Sequence, residues 1–530
     1  MADRLRILLA DTIPPSGLAP LQDDRFELVE NTGLTGDELA RALADADGVL
    51  LRSSTTITRE SLEGNTRLKA IGRAGVGVDN IDVDAATERG IAVFNAPSGN
   101  TISAAELTMA LLLAAVRKLP GADRSMRRGE WDRKAFKGVE LYGKTLGLVG
   151  AGRIGGEVAR RAKAFGMRLI AYDPFLQEDR ATRLGIVTKE LDDLLREADV
   201  ISLHVPLTET TANLLNADRL ALMKPGAVLV NAARGGVVDE DALAEAVREG
   251  RLGGAALDVF ADEPLPADHP LRSLENVVLT PHLGAATREA QHNVAVEAAE
   301  AVRDALLEQD YSRALNAPSV GSDLMRELQP LLNLANRLGQ LGRALAGTVE
   351  AVEIRYAGNA AEEALRPLSA ATLVGVLSEV VGRGGVNLVN ALHLAQARGI
   401  STSRVLLRPD SDYTEHLELR LAGGGMETRV AGALRGDQPR IVRINAYPVD
   451  VRPRGVLVIL RNKDVPGVIG RVGSMLGEAG VNIAEYHQGR LEVGGEAMAA
   501  IAVDERLRPE VVEAITGLRD VNSVRQVDLG

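Results

Sequence analysis

A chain of 530 residues has room for about three or four domains, and 45% hydrophobic with 25% charged residues is the balance of a folded globular protein. A net charge of −12 argues against nucleic acid or an anionic membrane as partner, and the absence of cysteine excludes disulfides, zinc–thiolate sites, iron–sulfur clusters and thiol nucleophiles. No metal site is expected, no signal-peptide pattern opens the chain, and the longest apolar run, near Met109–Val116, is too short for a bilayer, so a cytoplasmic protein is expected.

From the N-terminus, apolar runs at Ile7–Ala10, Gly48–Leu51, Ala70–Arg73 and Ile91–Phe94 alternate with helical stretches such as Asp37–Leu43 and Asp82–Glu88. That alternation predicts an α/β unit with a parallel sheet. Capping-box spacing between Ser103 and Glu106 places the start of an apolar helix near Ser103. The helix runs to Val116 and suits a buried connection between two lobes.

Thr145–Val149 then reads as a buried strand leading into Gly150-x-Gly152-x-x-Gly155, with Glu157–Phe165 as a helix and Arg168–Tyr172 as a strand ending at Asp173. This is the dinucleotide-binding fingerprint. Gly150 permits the tight turn, Gly152 lets a pyrophosphate approach the backbone, and Gly155 lets the helix pack close to the strand. The helix N-terminus, with its unpaired N–H groups and positive dipole end, holds the phosphates. A carboxylate at Asp173 accepts from ribose hydroxyls and repels a 2′-phosphate, and no basic residue follows until Arg180. NAD is therefore expected rather than NADP.

Strands at Val200–His204, Val228–Asn231, Ala255–Val259 and Val277–Thr280 complete a Rossmann-type domain, and 283–308 reads as a helix able to cross back to the first lobe. Residues 318–452 are rich in Leu, Ala and Gly and carry no catalytic constellation. In 453–530, strands at Val456–Leu460, Asn482–Gln488, Ala497–Ala502 and Ser523–Val527 and helices at Gly467–Ala479 and Arg508–Gly517 follow the β-α-β-β-α-β order of a ferredoxin-like unit.

Oxidising an alcohol needs a base for the hydroxyl proton and a cation for the substrate's carboxylate or developing carbonyl. Of seven histidines, His204 and His282 both end strands, where ligands of open α/β sheets bind; the Pro281 and Gly284 frame favours His282. An imidazole base works better beside a carboxylate, and Asp258, Asp262 and Glu263 are all candidates. Arg234, at a third strand end, can clamp a carboxylate with two parallel bonds.

The motifs NAARGGVVDEDAL, LDVFADEP and TPHLGAAT, with VGAGRIG, YDP and the segments Leu51–Thr55, Ile71–Asn80 and Asn95–Asn100, resemble the D-isomer-specific 2-hydroxyacid dehydrogenase family. The chain order resembles its long-form branch, essentially throughout but weakly between 318 and 452. The resemblance implies a discontinuous flavodoxin-like substrate domain (1–97 and 283–317) and a Rossmann NAD domain (98–282). It also implies an α+β intervening regulatory domain (318–452) and a ferredoxin-like ACT domain (453–530). It implies His282 as acid/base with Glu263, and Arg234 on the substrate's carboxylate and C2 oxygen. Arg52, Ser53, Arg73 and Asn100 would bind substrate, the arginines suiting a phosphate, while Arg153, Ile154, Asp173 and Asp258 would line the NAD site. Trp131 matches a dimer-forming position, and a homodimer or homotetramer is implied. Asn462, Asp464 and Asn482 match the ACT ligand segment, with L-serine as effector, although Asn462 stands where relatives often carry His or Tyr. The implied reaction is NAD-dependent oxidation of 3-phosphoglycerate to 3-phosphohydroxypyruvate, the first step of L-serine synthesis. A dehydrogenase of another D-2-hydroxy acid and an NAD-sensing scaffold are the alternatives. Arg52 and Arg73 argue against the first, and the intact Arg234, Glu263 and His282 set against the second.

Overall fold

The computed structural model describes residues 4–320, 322–358, 362–382, 385–408 and 415–530. Short apolar runs build the first sheet: β1 (Leu5–Leu9), β2 (Phe26–Glu30), β3 (Gly48–Leu51), β4 (Ala70–Arg73) and β5 (Ala92–Phe94). All pairings are parallel, in the order β2-β1-β3-β4-β5 of flavodoxin-like folds. The central strand β3 is buried along its whole length, as a parallel strand covered on both faces must be. The helix Arg288–Glu308 crosses back as expected and buries Val294, Ala298 and Val302 against Ile7, Leu50 and Phe94.

The second sheet holds β6 (Thr145–Val149), β7 (Arg168–Tyr172), β8 (Ile186–Thr188), β9 (Val200–Leu203), β10 (Val228–Asn231), β11 (Gly254–Leu257) and β12 (Val277–Leu279). Its order, β12-β11-β10-β9-β6-β7-β8, is the doubly wound Rossmann pattern, with the switch point beside β6. The helix Thr101–Val116 joins the lobes and buries Ala105, Met109, Leu112 and Val116 against this sheet. Two strands, β2 and β8, were not anticipated. Both are sheet edges with only one residue buried, so neither presents the apolar run that marks a covered strand.

The third sheet comprises β13 (Ala351–Ala357), β14 (Ser401–Leu406), β15 (Glu415–Gly423), β16 (Met426–Arg435), β17 (Gln438–Ile444) and β18 (Tyr447–Val451). Its order is β14-β13-β15-β16-β17-β18, antiparallel except for the β13–β14 pair. The helices Ser322–Leu345 and Leu365–Val381 share its core. The segment Glu362–Val381, and not Met109–Val116, is long and apolar enough by composition to cross a membrane, but 67% of its apolar window is buried inside the protein. It is a core helix.

The fourth sheet is antiparallel, with β19 (Val456–Lys463), β20 (Ile483–Arg490), β21 (Glu496–Val503) and β22 (Val521–Asp528) in the order β20-β21-β19-β22. Alternation along β19 sends Val458 and Leu460 toward the unit's own helices and Leu457 and Ile459 into the core of the third sheet. Arg337 closes that joint, donating through Nη1 to Gly530 O at 2.8 Å. The third unit also touches the first lobe, where Asn387 Nδ2 donates to Gly90 O at 2.7 Å.

Candidate active site

The loop after β11 is organised by Asp258, which is fully enclosed at 0% exposure. Its carboxylate accepts from Thr280 Oγ1 at 2.6 Å, Leu283 N at 2.7 Å and Gly284 N at 2.9 Å. Its carbonyl accepts from His282 N at 2.8 Å. Burial raises the Asp258 pKa, with those donors opposing it. Asp258, expected to line the cofactor cleft, also anchors through its carboxylate the turn that carries His282, a residue held at φ 54°. Glu263 Oε2 lies 2.7 Å from His282 Nδ1, and its Oε1 accepts from Phe260 N at 3.0 Å. Glu240 steadies the same loop by accepting from Ala261 N at 2.7 Å. Glu263 is thus the carboxylate that meets the ring, and Asp262 points into solvent-exposed loop. With Nδ1 engaged, Nε2 is the nitrogen left to exchange a proton. A cavity of about 510 Å³ in front of this pair is lined by His282 and Glu263 from the second lobe and Ser53 from the first.

His204 is no rival base. Burial pushes its pKa down to about 4, its Nδ1 is enclosed without a partner, and its Nε2 lies 2.9 Å from Ser202 Oγ.

Arg234 sits on the turn after β10, which Asn231 shapes by accepting from Ala233 N at 3.1 Å and donating to Arg234 O at 2.9 Å. Its Nε reaches Asp79 Oδ2 in the first lobe at 3.4 Å. Arg73, at the end of β4, has its Nε enclosed without a partner. Burial first, then the charges of Arg234 and Arg52, lower the Arg73 pKa, while Asp79 and Asp11 act the other way. The structure therefore gathers Arg52, Arg73 and Arg234 into one electropositive region, an arrangement suited to an anion. The Arg52 loop is held by Asp11, which accepts from Arg52 N at 2.6 Å, and by Asn80, which donates to Arg52 O at 2.7 Å. Asn100 stands at the start of the crossover helix with its Oδ1 enclosed and unpartnered. That helix starts at Thr101, not near Ser103; Ser103 Oγ is enclosed without a partner and Glu106 pairs with Arg161 at 3.5 Å, so the expected capping box is not formed.

The glycine turn follows its fingerprint. Gly150 has φ 92°, and a Cβ there would lie 2.6 Å from His204 O. A Cβ on Gly155 would lie 2.3 Å from Gly150 O, so the helix Arg153–Ala164 cannot sit this close with any larger residue. At Gly152 a Cβ would meet no chain atom within 4 Å. Packing does not require glycine there; the open space before the helix N-terminus is the cradle a pyrophosphate fits. Arg153 and Ile154 open that helix. Asp173 accepts from Ala151 N at 2.8 Å and Phe175 N at 2.9 Å and keeps lone pairs for ribose hydroxyls. Arg180 folds back over the turn and donates to Gly152 O at 2.8 Å.

Residues 109–284 match the NAD-binding domain of the D-isomer-specific 2-hydroxyacid dehydrogenases, 327–445 the D-3-phosphoglycerate dehydrogenase intervening domain, and 456–520 the ACT domain. The D-3-phosphoglycerate dehydrogenase of Bacillus subtilis is 42% identical over 99% of this chain and 99% of its own length, and that of Methanocaldococcus jannaschii 43% identical over 96% and 98%. The chain belongs to the D-3-phosphoglycerate dehydrogenase family. The crystal structure of D-lactate dehydrogenase from Aquifex aeolicus complexed with NAD and lactic acid is 32% identical, with a TM-score of 0.52, covering 59% of this chain and 100% of that one.

In the ACT unit the three candidate effector residues, expected to act at an interface between two copies, stand apart within one chain. Asn462 is 1% exposed within the sheet and donates to Lys463 O at 2.7 Å. Asp464 accepts from Arg490 Nη1 at 3.0 Å, which lowers its pKa, and from Gly494 N at 3.2 Å. Asn482 donates to Asp504 Oδ2 at 2.8 Å. Asp464 meets Arg490 at one end of the eight-residue β20, and Asn482 precedes its other end, so the two lie roughly 20 Å apart. Within one chain the structure does not assemble Asn462, Asp464 and Asn482 into a site. Asp11, Asn80, Asn231 and Glu240 escaped sequence reasoning. Asp11 and Asn231 carry one signal, a polar residue just beyond or at the end of an apolar strand; Asn80, in a loop, and Glu240, at a helix start, carry none.

Proposed function

We propose that this chain oxidises 3-phospho-D-glycerate at C2 to 3-phosphohydroxypyruvate, the opening step of L-serine synthesis, in the cytoplasm. The observation that carries this reading is the His282–Glu263 pair on a cavity that Ser53 of the first lobe also lines, beside Arg52 in sequence. His282 Nε2 takes the C2 hydroxyl proton, and Glu263 fixes the tautomer and stabilises the imidazolium. Arg234 holds the substrate's carboxylate and C2 oxygen, while Arg52, Ser53 and Arg73 hold the phosphate and Asn100 completes the anion's ligands. NAD, when bound, supplies the hydride acceptor; Gly150, Gly152, Arg153, Ile154, Gly155 and Asp173 hold it. Asp258 fixes the loop between the two sites, and the joined lobes exclude water from the reaction. The units 1–97 with 283–317, 98–282, 318–452 and 453–530 are assigned as substrate, NAD, intervening and ACT domains.

A substrate without phosphate leaves Arg52 and Arg73 unmatched. An NAD-dependent assay should give kcat/KM for 3-phosphoglycerate at least about a hundredfold above glycerate or lactate, the worth of a charge-assisted anion contact or two. Comparable values for all three acids would overturn the assignment.

The chain is further proposed to form a homodimer or homotetramer, on the exposed aromatic surface at Trp131 and Tyr142, 78% and 81% exposed. L-serine would then bind between the ACT units of two copies, where Asp464 of one meets Asn482 of another. Calorimetric titration of the full chain is the test, because Leu457 and Ile459 are buried against the intervening domain and an isolated ACT fragment would expose them. No heat at millimolar serine would count against the effector.

A further inference from the structure

The turn 98–100 enters the helix Thr101–Val116, which crosses between the lobes. Asparagine at an N-cap ordinarily accepts from the second or third helical N–H. Asn100 does not: as N-cap its side chain makes no capping bond and its Oδ1 is enclosed without a partner. Glu297, from the middle of the helix Arg288–Glu308, works on the same turn instead. Its carboxylate accepts from Ser98 Oγ at 2.9 and 3.0 Å, from Ser98 N at 3.3 Å and from Gly99 N at 3.2 Å. The turn is seated hard on that helix, since a Cβ on Gly99 would lie 2.7 Å from Val294 N. The Glu297 charge also faces the positive end of the crossover helix dipole.

The helix that carries Glu297 begins just after the His282 loop and presses on β4, where a Cβ on Gly72 would lie 3.2 Å from Ala298 O. Arg73 ends that strand. One rigid element thus ties together the His282 loop, the Arg73 strand and the Asn100 turn.

We propose that Glu297 is a positioning residue for the substrate: it anchors the turn at Ser98 and Gly99 and so fixes where Asn100, whose side chain makes no capping bond, presents its amide to the substrate's anionic end. The inference rests on the reading of Asn100 as a substrate ligand. Without the carboxylate the turn loses its anchor and Asn100 loses its fixed position.

The test is a set of variants assayed for KM, kcat and NADH affinity by fluorescence titration. Glu297→Ala should raise KM for 3-phosphoglycerate about tenfold, the worth of one lost substrate bond. The kcat and NADH affinity should hold to within about twofold, since neither contact enters the cofactor site. Glu297→Gln, which keeps the shape and one acceptor oxygen, should fall between wild type and Glu297→Ala, and it decides the matter if the alanine variant fails to fold. Asn100→Ala should raise KM by itself, and adding Glu297→Ala to it should add nothing. If Asn100→Ala leaves KM unchanged, the reading of Asn100 fails and takes this proposal with it. If Asn100→Ala raises KM while Glu297→Ala does not, or the two effects multiply, the proposal alone fails. Equal losses of kcat, substrate affinity and NADH affinity in both Glu297 variants would reduce Glu297 to a structural role and also overturn it.

Discussion

Two histidines follow strands of the same sheet, His204 after β9 and His282 after β12, and their surroundings give them opposite capacities. His282 has one nitrogen fixed by Glu263 and the other open to the cleft. His282→Asn should lower kcat by a factor of about 10²–10⁴, the usual worth of a general base, while NADH affinity stays as in the wild type. Near-normal turnover would remove His282 from the chemistry. His204 sits behind the glycine turn, and burial lowers its pKa from 6.5 to about 4. The folded state therefore holds it neutral where the unfolded chain protonates it. Its contribution to stability is complete above pH 6.5 and is lost as pH falls from 6.5 toward 4, a loss of at most about 3 kcal/mol. His204→Gln removes the titrating group. Its urea midpoint should fall less between pH 7 and pH 5 than the wild type's, and identical falls would show that His204 does not titrate with unfolding.

At the level of elements, the strand–turn–helix at β6 separates packing from binding within a single motif. Gly155 is required by the chain itself, because a Cβ there would strike Gly150 O. At Gly152 a Cβ would meet no packed neighbour. Gly155→Ala should lower the melting temperature by several degrees, as an overpacked contact does. Gly152→Ala should leave it within about 2 °C, the effect of a change that touches no packed atom, yet weaken NADH binding at least about tenfold, as expected where a backbone must approach a phosphate. Equal melting temperatures for the two variants, or unchanged NADH affinity in Gly152→Ala, would contradict this division. The motif was legible in the sequence because its demands are local: an apolar strand, three glycines and a carboxylate at fixed spacing. The edge strands β2 and β8 were not, since a half-exposed strand carries little apolar pattern. The third sheet did carry a strand signal, period-two alternation, that a search for continuous apolar runs passes over. On its β13 and β15 strands, Glu353, Arg355, Glu418 and Arg420 alternate with apolar residues and neutralise one another across strands. The crossover helix starts two residues before Ser103, and the turn ahead of it is anchored by Glu297, 199 positions from Ser98 in sequence, a contact no local pattern shows. The arginine cluster was legible only through family resemblance. Arg52, Arg73 and Arg234 are scattered in the sequence, and nothing in their spacing shows that Arg234 of the second lobe comes close to Arg73 of the first.

At the scale of the whole molecule, the C-terminal sheet is covered on both faces, and the two covers belong to different units. Val458 and Leu460 pack on the unit's own helices; Leu457 and Ile459, at 0% and 3% exposure, enter the core built by the third sheet and the helix Ser322–Leu345. The two units are therefore one cooperative block rather than beads on a linker. That block meets the first lobe where Asn387 bonds Gly90, just ahead of β5 and the turn that leads to Asn100. Packed contacts thus connect the fourth sheet, from Leu457 through the third unit, to the first lobe. Leu457→Ala should destabilise the block by about 2–5 kcal/mol, as a buried leucine does when a cavity replaces it. Val458→Ala, a smaller truncation on the opposite face, should loosen only the terminal unit. Amide hydrogen exchange distinguishes the two: Leu457→Ala should speed exchange along Ser322–Leu345 as well as β19, whereas Val458→Ala should leave that helix protected. If Leu457→Ala leaves the helix as slow to exchange as in the wild type, the two units unfold independently. Coupling between them would then have to run through the backbone connection between β18 and β19 rather than through shared packing.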